Sequence, residues 1–152
     1  MKNLVWIAVA LISGAGFATG AAAESFTYTV TAEPGSNAIR VTARGDGGAM
    51  MSAVANRLEV TFTYKSGLVE KAVYQCIDWP TPHETTNVGV MCNGGSGEDK
   101  YSVIGTCLFN NKGSEMCWGV IEGIAGKRAG KHGTYTHMGS GATTTGEGAW
   151  ED

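Results

Sequence analysis

The stretch that decides the fold is GIAGKRAGKHGTYTHMGSGATTTGEGAW, residues 123–150, close to the end of the chain. Glycine recurs through it among threonines, two histidines, a short basic cluster and a final tryptophan. Three structures are compatible with this composition: a phosphate-binding loop, a disordered tail, or the closing strands of a β-barrel. The spacing of the other residues separates these three interpretations.

A phosphate-binding loop requires the pattern G-x-x-x-x-G-K followed by Ser or Thr. The Gly-Lys pair at 126–127 has Ile121 in place of the first glycine and Arg128 in place of the hydroxyl residue. The Gly-Lys pair at 130–131 fails at the same two positions. The sequence therefore gives no support to nucleotide binding by this loop.

Alternation of side chains favours closing strands over a disordered tail. GTYTHMGSG, residues 133–141, alternates Thr with larger residues, and Tyr135, Met138 and Trp150 occupy strand positions. Glycine inside a strand often marks a bulge or bend, and a sheet needs such bends to close into a barrel. We expect Trp150 to seal one mouth of that barrel.

The rest of the chain also has strand patterns at short intervals, with Gly, Asn, Asp or Ser between them. In residues 25–32 and 57–64, apolar and polar side chains alternate, so each segment has one apolar face and one solvent-exposed face. Further candidate strands occupy 68–79, 87–93, 100–109 and 115–126. The sequence predicts an all-β domain, a closed antiparallel barrel of about eight strands. A barrel of this size holds side chains or one small ligand.

The glycine-rich close of the chain, by which we mean residues 123–150, resembles the last strands of the allene-oxide-cyclase-like and dirigent-like small barrels. The resemblance rests on Gly123, Gly126, Lys127, Gly130, Gly133, Tyr135, Gly146, Gly148 and Trp150. It implies an eight-stranded antiparallel barrel, with a cyclase or isomerase as one activity. The resemblance is also compatible with a homo-oligomer, but it does not identify a catalytic residue in this chain.

The first 23 residues read as a secretory signal peptide. Lys2 is followed by an apolar run at 4–18 and then by small residues, with Ala21 and Ala23 in an A-x-A arrangement. The run of about 15 residues is shorter than the roughly 20 needed to span a bilayer. We expect cleavage after Ala23, a single barrel domain over 24–152, no membrane span in the mature chain, and a secreted or periplasmic location.

The mature part contains four cysteines, Cys76, Cys92, Cys107 and Cys117. An even number in an exported chain indicates two disulfides. A hairpin turn centred on Lys112 puts Cys107 opposite Cys117, and cross-strand neighbours are close enough to be bridged. The other two cysteines are symmetric about residue 84, so we favour the pairs 76–92 and 107–117.

The formal net charge of −3 argues against a nucleic-acid binder, which would be basic overall. A metal site is not predicted. His132 and His137 are five residues apart, which places them on opposite faces of one strand. No cysteine pair has the close spacing of a zinc site, and we expect no cofactor.

Two carboxylates are candidate general acids or bases. Glu122 shares strand parity with Met116, Trp118 and Val120, and if that face is the lumen its pKa would rise in an apolar surrounding. Asp78 lies in the segment CIDWPTPHE, which two prolines make stiff, plausibly at a barrel mouth. An alternative for each is an ordinary solvent-facing position.

Aromatic residues and one histidine are the candidate ligand-binding groups: Trp79, His83, Trp118 and Tyr135. Three functions follow from the predicted barrel. The first is binding of a small apolar or aromatic molecule in the lumen. The second is a cofactor-free cyclase or isomerase that uses Glu122 or Asp78. The third is a structural or protein-interaction module with a packed lumen.

Overall fold

The computed structural model describes residues 23–44, 50–80, 87–110 and 112–151. Within these ranges the chain forms nine strands of one antiparallel sheet and one short 3₁₀ turn. The strands are β1 (Glu24–Ala32), β2 (Ile39–Arg44), β3 (Met50–Tyr64), β4 (Val69–Pro80), β5 (Asn87–Ser96), β6 (Asp99–Phe109), β7 (Ser114–Ala125), β8 (His132–Ser140) and β9 (Thr143–Glu151). The 3₁₀ turn, Gly126–Arg128, follows β7. The predicted signal peptide lies outside the described residues except for Ala23.

The sheet closes because β1 pairs along both of its edges. Phe26 is opposite Tyr64 on β3 and opposite Gly148 on β9. Among the described strands, β1 and β3 to β9 therefore form a closed eight-stranded antiparallel barrel, which confirms the predicted fold class. Strand β2 pairs only with the first half of β3, so it extends the sheet beyond the barrel wall.

Aromatic rings from β1, β3, β4, β6 and β9 pack against one another in part of the lumen. Phe26 packs edge-on against Phe62, with 5.3 Å between ring centroids, and Tyr101 packs against Trp150 at 5.5 Å. Tyr101 and Trp150 are among the most deeply buried side chains of the described chain. Such ring pairs contribute about 0.5–1.5 kcal/mol each beyond the burial of their surface.

Two glycines of β9 make room for these rings. A Cβ at Gly146 would lie 2.3 Å from Cζ of Tyr28, and one at Gly148 would lie 2.5 Å from Cζ of Phe26. Real Cβ atoms do not approach other atoms so closely, and the backbone of β8 lies equally near. In the glycine-rich close, Gly146 and Gly148 therefore leave space for the large aromatic rings of β1.

Both predicted disulfides are present. Cys76 is the direct partner of Cys92 in the β4–β5 register, and Cys107 is the direct partner of Cys117 in the β6–β7 register. All four side chains are buried on the inner face of the barrel. Each bridge ties neighbouring strands together and is worth roughly 3 kcal/mol in the chain-entropy model.

One end of the barrel, the closed end, is sealed by Arg128 from the 3₁₀ turn. Its guanidinium is 3.1 Å from a carboxylate oxygen of Glu24 and 3.3 Å from one of Glu70. It also lies over the Tyr64 ring, 4.5 Å from the centroid, and over the Trp150 ring at 5.5 Å. The Arg128 side chain is only 7% exposed. A buried cation with two carboxylate partners therefore acts as a plug at this end of the barrel, beside the aromatic rings of the lumen.

Removal of the Arg128 side chain should destabilise the fold strongly. In Arg128→Ala the largely buried Glu70 loses its cationic partner, and breaking a buried pair in this way costs about 3–5 kcal/mol. Urea denaturation measures the free energy of unfolding. The matched control is Lys127→Ala, because the neighbouring Lys127 is exposed. Equal stability of the two variants would contradict the role of Arg128 as a plug.

Candidate functional site

The lumen contains a cavity of about 220 Å³ at the end of the barrel away from Arg128 and Trp150. Valine, leucine and isoleucine side chains and the sulfur atoms of both disulfides form part of its wall. The aromatic part of the wall consists of Phe26, Tyr28, Phe62, Tyr74 and Tyr135. The cavity therefore has the apolar and aromatic lining that is typical of small-molecule sites.

Among the described residues, polar groups gather at the end of this cavity away from Arg128, and we call this end of the barrel the open end. The side-chain amide of Asn56 donates to the Asp78 carboxylate at 3.2 Å. Nε2 of His137 lies 2.9 Å from Oε1 of Glu115. All four residues line the cavity, so hydrogen-bonding groups converge beside an apolar surface.

The register of the strands brings these side chains together. Asp78 follows Cys76 by two residues, and Glu115 precedes Cys117 by two, so each carboxylate shares the inward face of a disulfide cysteine. His137 is the direct partner of Cys117 on β8. The two bridges therefore fix the strands that carry the polar groups.

The surroundings of Asp78 alter its proton affinity. Burial raises the pKa of the Asp78 carboxyl, the hydrogen bond from Asn56 opposes this, and the charge of Glu115 adds to the increase. Burial, together with the charge of Asp78, raises the pKa of Tyr135 to about 12. The open end thus combines a carboxyl of raised proton affinity with a phenol that stays protonated at neutral pH.

The predicted site residues fall into three groups. Asp78 and Tyr135 line the cavity. Trp79 lies on the outward-facing register of β4, and its ring is so close to Gly89 of β5 that a Cβ there would lie 2.6 Å from it. His83 lies outside the described residues.

The structure corrects the expectation that the face of β7 with Glu122 is the lumen. Trp118 is 42% exposed, and Met116, Val120 and Ile124 on the same face are exposed too. The Glu122 side chain points outward and lies 3.6 Å from His132. The physical reason is that aromatic rings from other strands occupy much of the lumen, so β7 turns Cys117 and Ile121 inward and presents its bulkier face, which includes Trp118, to the outside.

Sequence reasoning missed Asn56, Glu115 and His137. A usable signal was present for Glu115, because a residue two positions from a cysteine in a cross-strand disulfide shares its face. The same rule places His137 on the face of Tyr135 and Asn56 on the face of Leu58, because each pair is two positions apart. That these side chains meet at one end of the cavity depends on the register of β3 and β8 with their neighbours, which the residue types alone do not determine.

Within the described ranges, one group of side chains has the proximity of a metal site. The ligand atoms of Glu115, Cys117 and His137 lie within 4.8 Å of one another. Cys117, however, is bonded to Cys107 and offers no thiolate. The remaining carboxylate and imidazole are already within hydrogen-bond distance of each other, so this group does not support a metal centre.

Comparison of the chain with protein-family models, with curated proteins and with solved structures finds no match. A search of the described ranges finds no helix with the length and hydropathy needed to cross a membrane. The geometry of the open end is therefore the basis for the functional proposal.

The stability of the protein should respond to pH through Asp78. Because the folded-state pKa is raised, the native state binds this proton more tightly than the unfolded state and loses stability as pH rises through that pKa. The Asp78→Asn variant has no ionisable carboxyl at this position, so it does not lose stability in this way as pH rises. The variant should therefore gain stability relative to the wild type between pH 3 and pH 7 in urea denaturation.

The matched control for this experiment is Glu59→Gln, because Glu59 is exposed on the outer face of β3. Its stability relative to the wild type should change less between the two pH values. An Asp78→Asn variant whose relative stability falls as pH rises would contradict the assignment of a raised pKa to Asp78.

Proposed function

We propose that the protein binds a small apolar or aromatic molecule in the lumen of its barrel. The observation that carries the proposal is the cavity of about 220 Å³, with a largely apolar and aromatic wall and with Asn56, Asp78, Glu115 and His137 grouped at the open end. An apolar body would contact Tyr28, Val60 and Val90, and a polar group would reach Asp78 and Tyr135. Sites of this kind derive affinity from apolar contact and orientation from a few polar groups.

The proposal includes an exported protein. Two disulfides are typical of secreted, periplasmic and other proteins from oxidising compartments, and the first 23 residues have the pattern of a signal peptide. A ligand carrier or sensor outside the cytoplasm would use a scaffold stabilised in this way.

Filling the cavity should weaken ligand binding. The neutral fluorescent probe 1-aminoanthracene should bind with one saturable site per chain, and Val30→Phe, which projects a ring into the cavity, should weaken that binding about tenfold or more, the equivalent of 1.4 kcal/mol. The measurement is a fluorescence titration. The matched control is Thr29→Phe, which places the same ring on the outer face of the same strand.

Two outcomes decide this proposal. Weaker binding by Val30→Phe with unchanged binding by Thr29→Phe supports the lumen as the site. Equal affinities of the wild type and Val30→Phe, with both disulfides intact, would place the probe elsewhere and reject the proposal.

A second candidate function is proton-transfer catalysis on the bound molecule, as in the cyclases and isomerases that the glycine-rich close resembles. The observation in its favour is the raised pKa of the Asp78 carboxyl beside an apolar cavity. Asp78 would remove or deliver a proton, and the Tyr135 hydroxyl would donate a hydrogen bond to an oxygen of the substrate.

A carbon acid tests this second function directly. 5-Nitrobenzisoxazole opens its ring when a base removes one proton, and Asp78→Asn should slow that reaction about 100-fold, as expected for loss of a general base. Absorbance of the phenolate product gives the rate. Retained 1-aminoanthracene binding shows that the cavity is intact. Equal rates for Asp78→Asn and the wild type would exclude Asp78 as the base.

A further inference from the structure

Asp78 is a carboxylate of the cavity wall that has no cationic partner among the described residues. Its Oδ2 atom accepts a hydrogen bond from the side-chain amide of Asn56 at 3.2 Å, and this donor is uncharged. The other carboxylate of the wall, Glu115, lies 2.9 Å from Nε2 of His137, which can carry a positive charge. A carboxylate that is withdrawn from water is costly when it has no positive partner. A cation in the cavity would reduce this cost at Asp78.

The charges around the cavity are negative on balance. Asp78 and Glu115 are the acidic residues of its wall, and among the described residues no lysine or arginine contributes to that wall. His137 is the basic residue of the wall, and a protonated imidazole offsets the charge of only one carboxylate. The cavity therefore disfavours an anionic ligand and favours a cationic one.

Two tyrosine rings lie close to the place where such a cation would bind. The centroid of the Tyr28 ring is 6.0 Å from that of the His137 ring. Tyr135 is near enough to Asp78 that, after burial, the charge of this carboxylate contributes to its raised pKa. The face of a tyrosine ring attracts a cation, more strongly where water is excluded. The open end therefore offers an ammonium group both a carboxylate and aromatic surface.

Asn56 adds an acceptor that has no partner. Its Nδ2 atom donates to Asp78, whereas its Oδ1 atom is buried and has no hydrogen-bond partner. Buried polar atoms in proteins nearly always have such a partner. Rotation of the amide about its last bond would turn this oxygen towards a donor beside Asp78. A ligand with several N–H donors at one end would satisfy both side chains.

We propose that the ligand of the lumen is a cationic amine with an apolar or aromatic body. Its ammonium group would bind the Asp78 carboxylate at the open end, and its body would contact the apolar and aromatic part of the wall. An ammonium group has up to three N–H donors, and its hydrogen bonds to a carboxylate are charge-assisted. This inference rests on the proposed binding function and names the class of molecule that the same cavity would select.

Three molecules with a phenyl body and different charges test the selection. At pH 7, 2-phenylethylamine is a cation, 2-phenylethanol is neutral and phenylacetate is an anion. Isothermal titration calorimetry of the oxidised wild type measures the affinity for each one. The amine should bind about tenfold more tightly than the alcohol, because a hydrogen bond between charged groups is stronger than one to a neutral hydroxyl. Phenylacetate should bind more weakly than either.

Substitution of Asp78 tests which group selects the cation. Asp78→Asn should remove the advantage of the amine and leave the affinity for 2-phenylethanol nearly unchanged. The matched control is Glu59→Gln, which removes an exposed carboxylate from the outer face of β3 and should keep the advantage. Binding of the neutral probe 1-aminoanthracene shows that the lumen of each variant is intact.

The outcomes separate this inference from the proposal on which it rests. If 1-aminoanthracene binds in the lumen but the amine binds no more tightly than the alcohol, the class of ligand is wrong and the binding function stands. An Asp78→Asn variant that keeps the advantage of the amine would also overturn the inference. If neither the probe nor any of the phenyl compounds binds, both proposals fail.

Discussion

The pairing of β1 with both β3 and β9 is the constraint on which the rest of the structure depends. Strand β1 closes the sheet, so β3 and β9 do not remain open edges that could pair with other chains. It also delivers Phe26 and Tyr28 to the lumen, where they pack against Phe62. Its first residue, Glu24, contacts Arg128 at the closed end. Closure, core packing and the ion pair at the closed end therefore all involve the same strand.

The two ends of the barrel differ in how their charges are arranged. At the closed end, Arg128 lies between two carboxylates and over two aromatic rings, so the charges are matched and packed. At the open end, Asp78 is only hydrogen-bonded to Asn56 among the contacts that the described residues show. Removing one partner from a buried ion pair is costly, which fits a structural role for the closed end, whereas polar groups that converge beside an apolar cavity are typical of a binding site. This difference is the reason for proposing the open end as the binding site.

The strands and both disulfides could be predicted from the sequence because they depend on local rules. Alternation identifies a strand, and the symmetry of the β6–β7 hairpin about Lys112 predicts the register that puts Cys107 opposite Cys117. The inward face of β7 could not be chosen by hydrophobicity. Met116, Trp118 and Val120 form the more apolar face, yet they lie outside, because the rings of other strands already occupy much of the lumen.

The cysteines were the better guide to the inner face. Cys117 and Ile121 share one parity on β7 and are buried, and Glu115 has the same parity. For Asn56 and His137 alternation gives the inward face, but their position beside Asp78 and Glu115 depends on how β3 and β8 pair with their neighbouring strands. The site is therefore a product of closure and register, while the strands themselves are a product of local pattern.

The most direct test of the account is methyl NMR of the protein during titration with 1-aminoanthracene. The chain provides matched methyl groups on the two faces of its wall. Those on the lumen side belong to Val60, Val90, Val103 and Ile121, and those on the outer side belong to Ile77, Ile104, Val120 and Ile124. Ring-current shifts confined to the lumen set are the predicted result. Shifts confined to the outer set would show that the cavity is not the binding site.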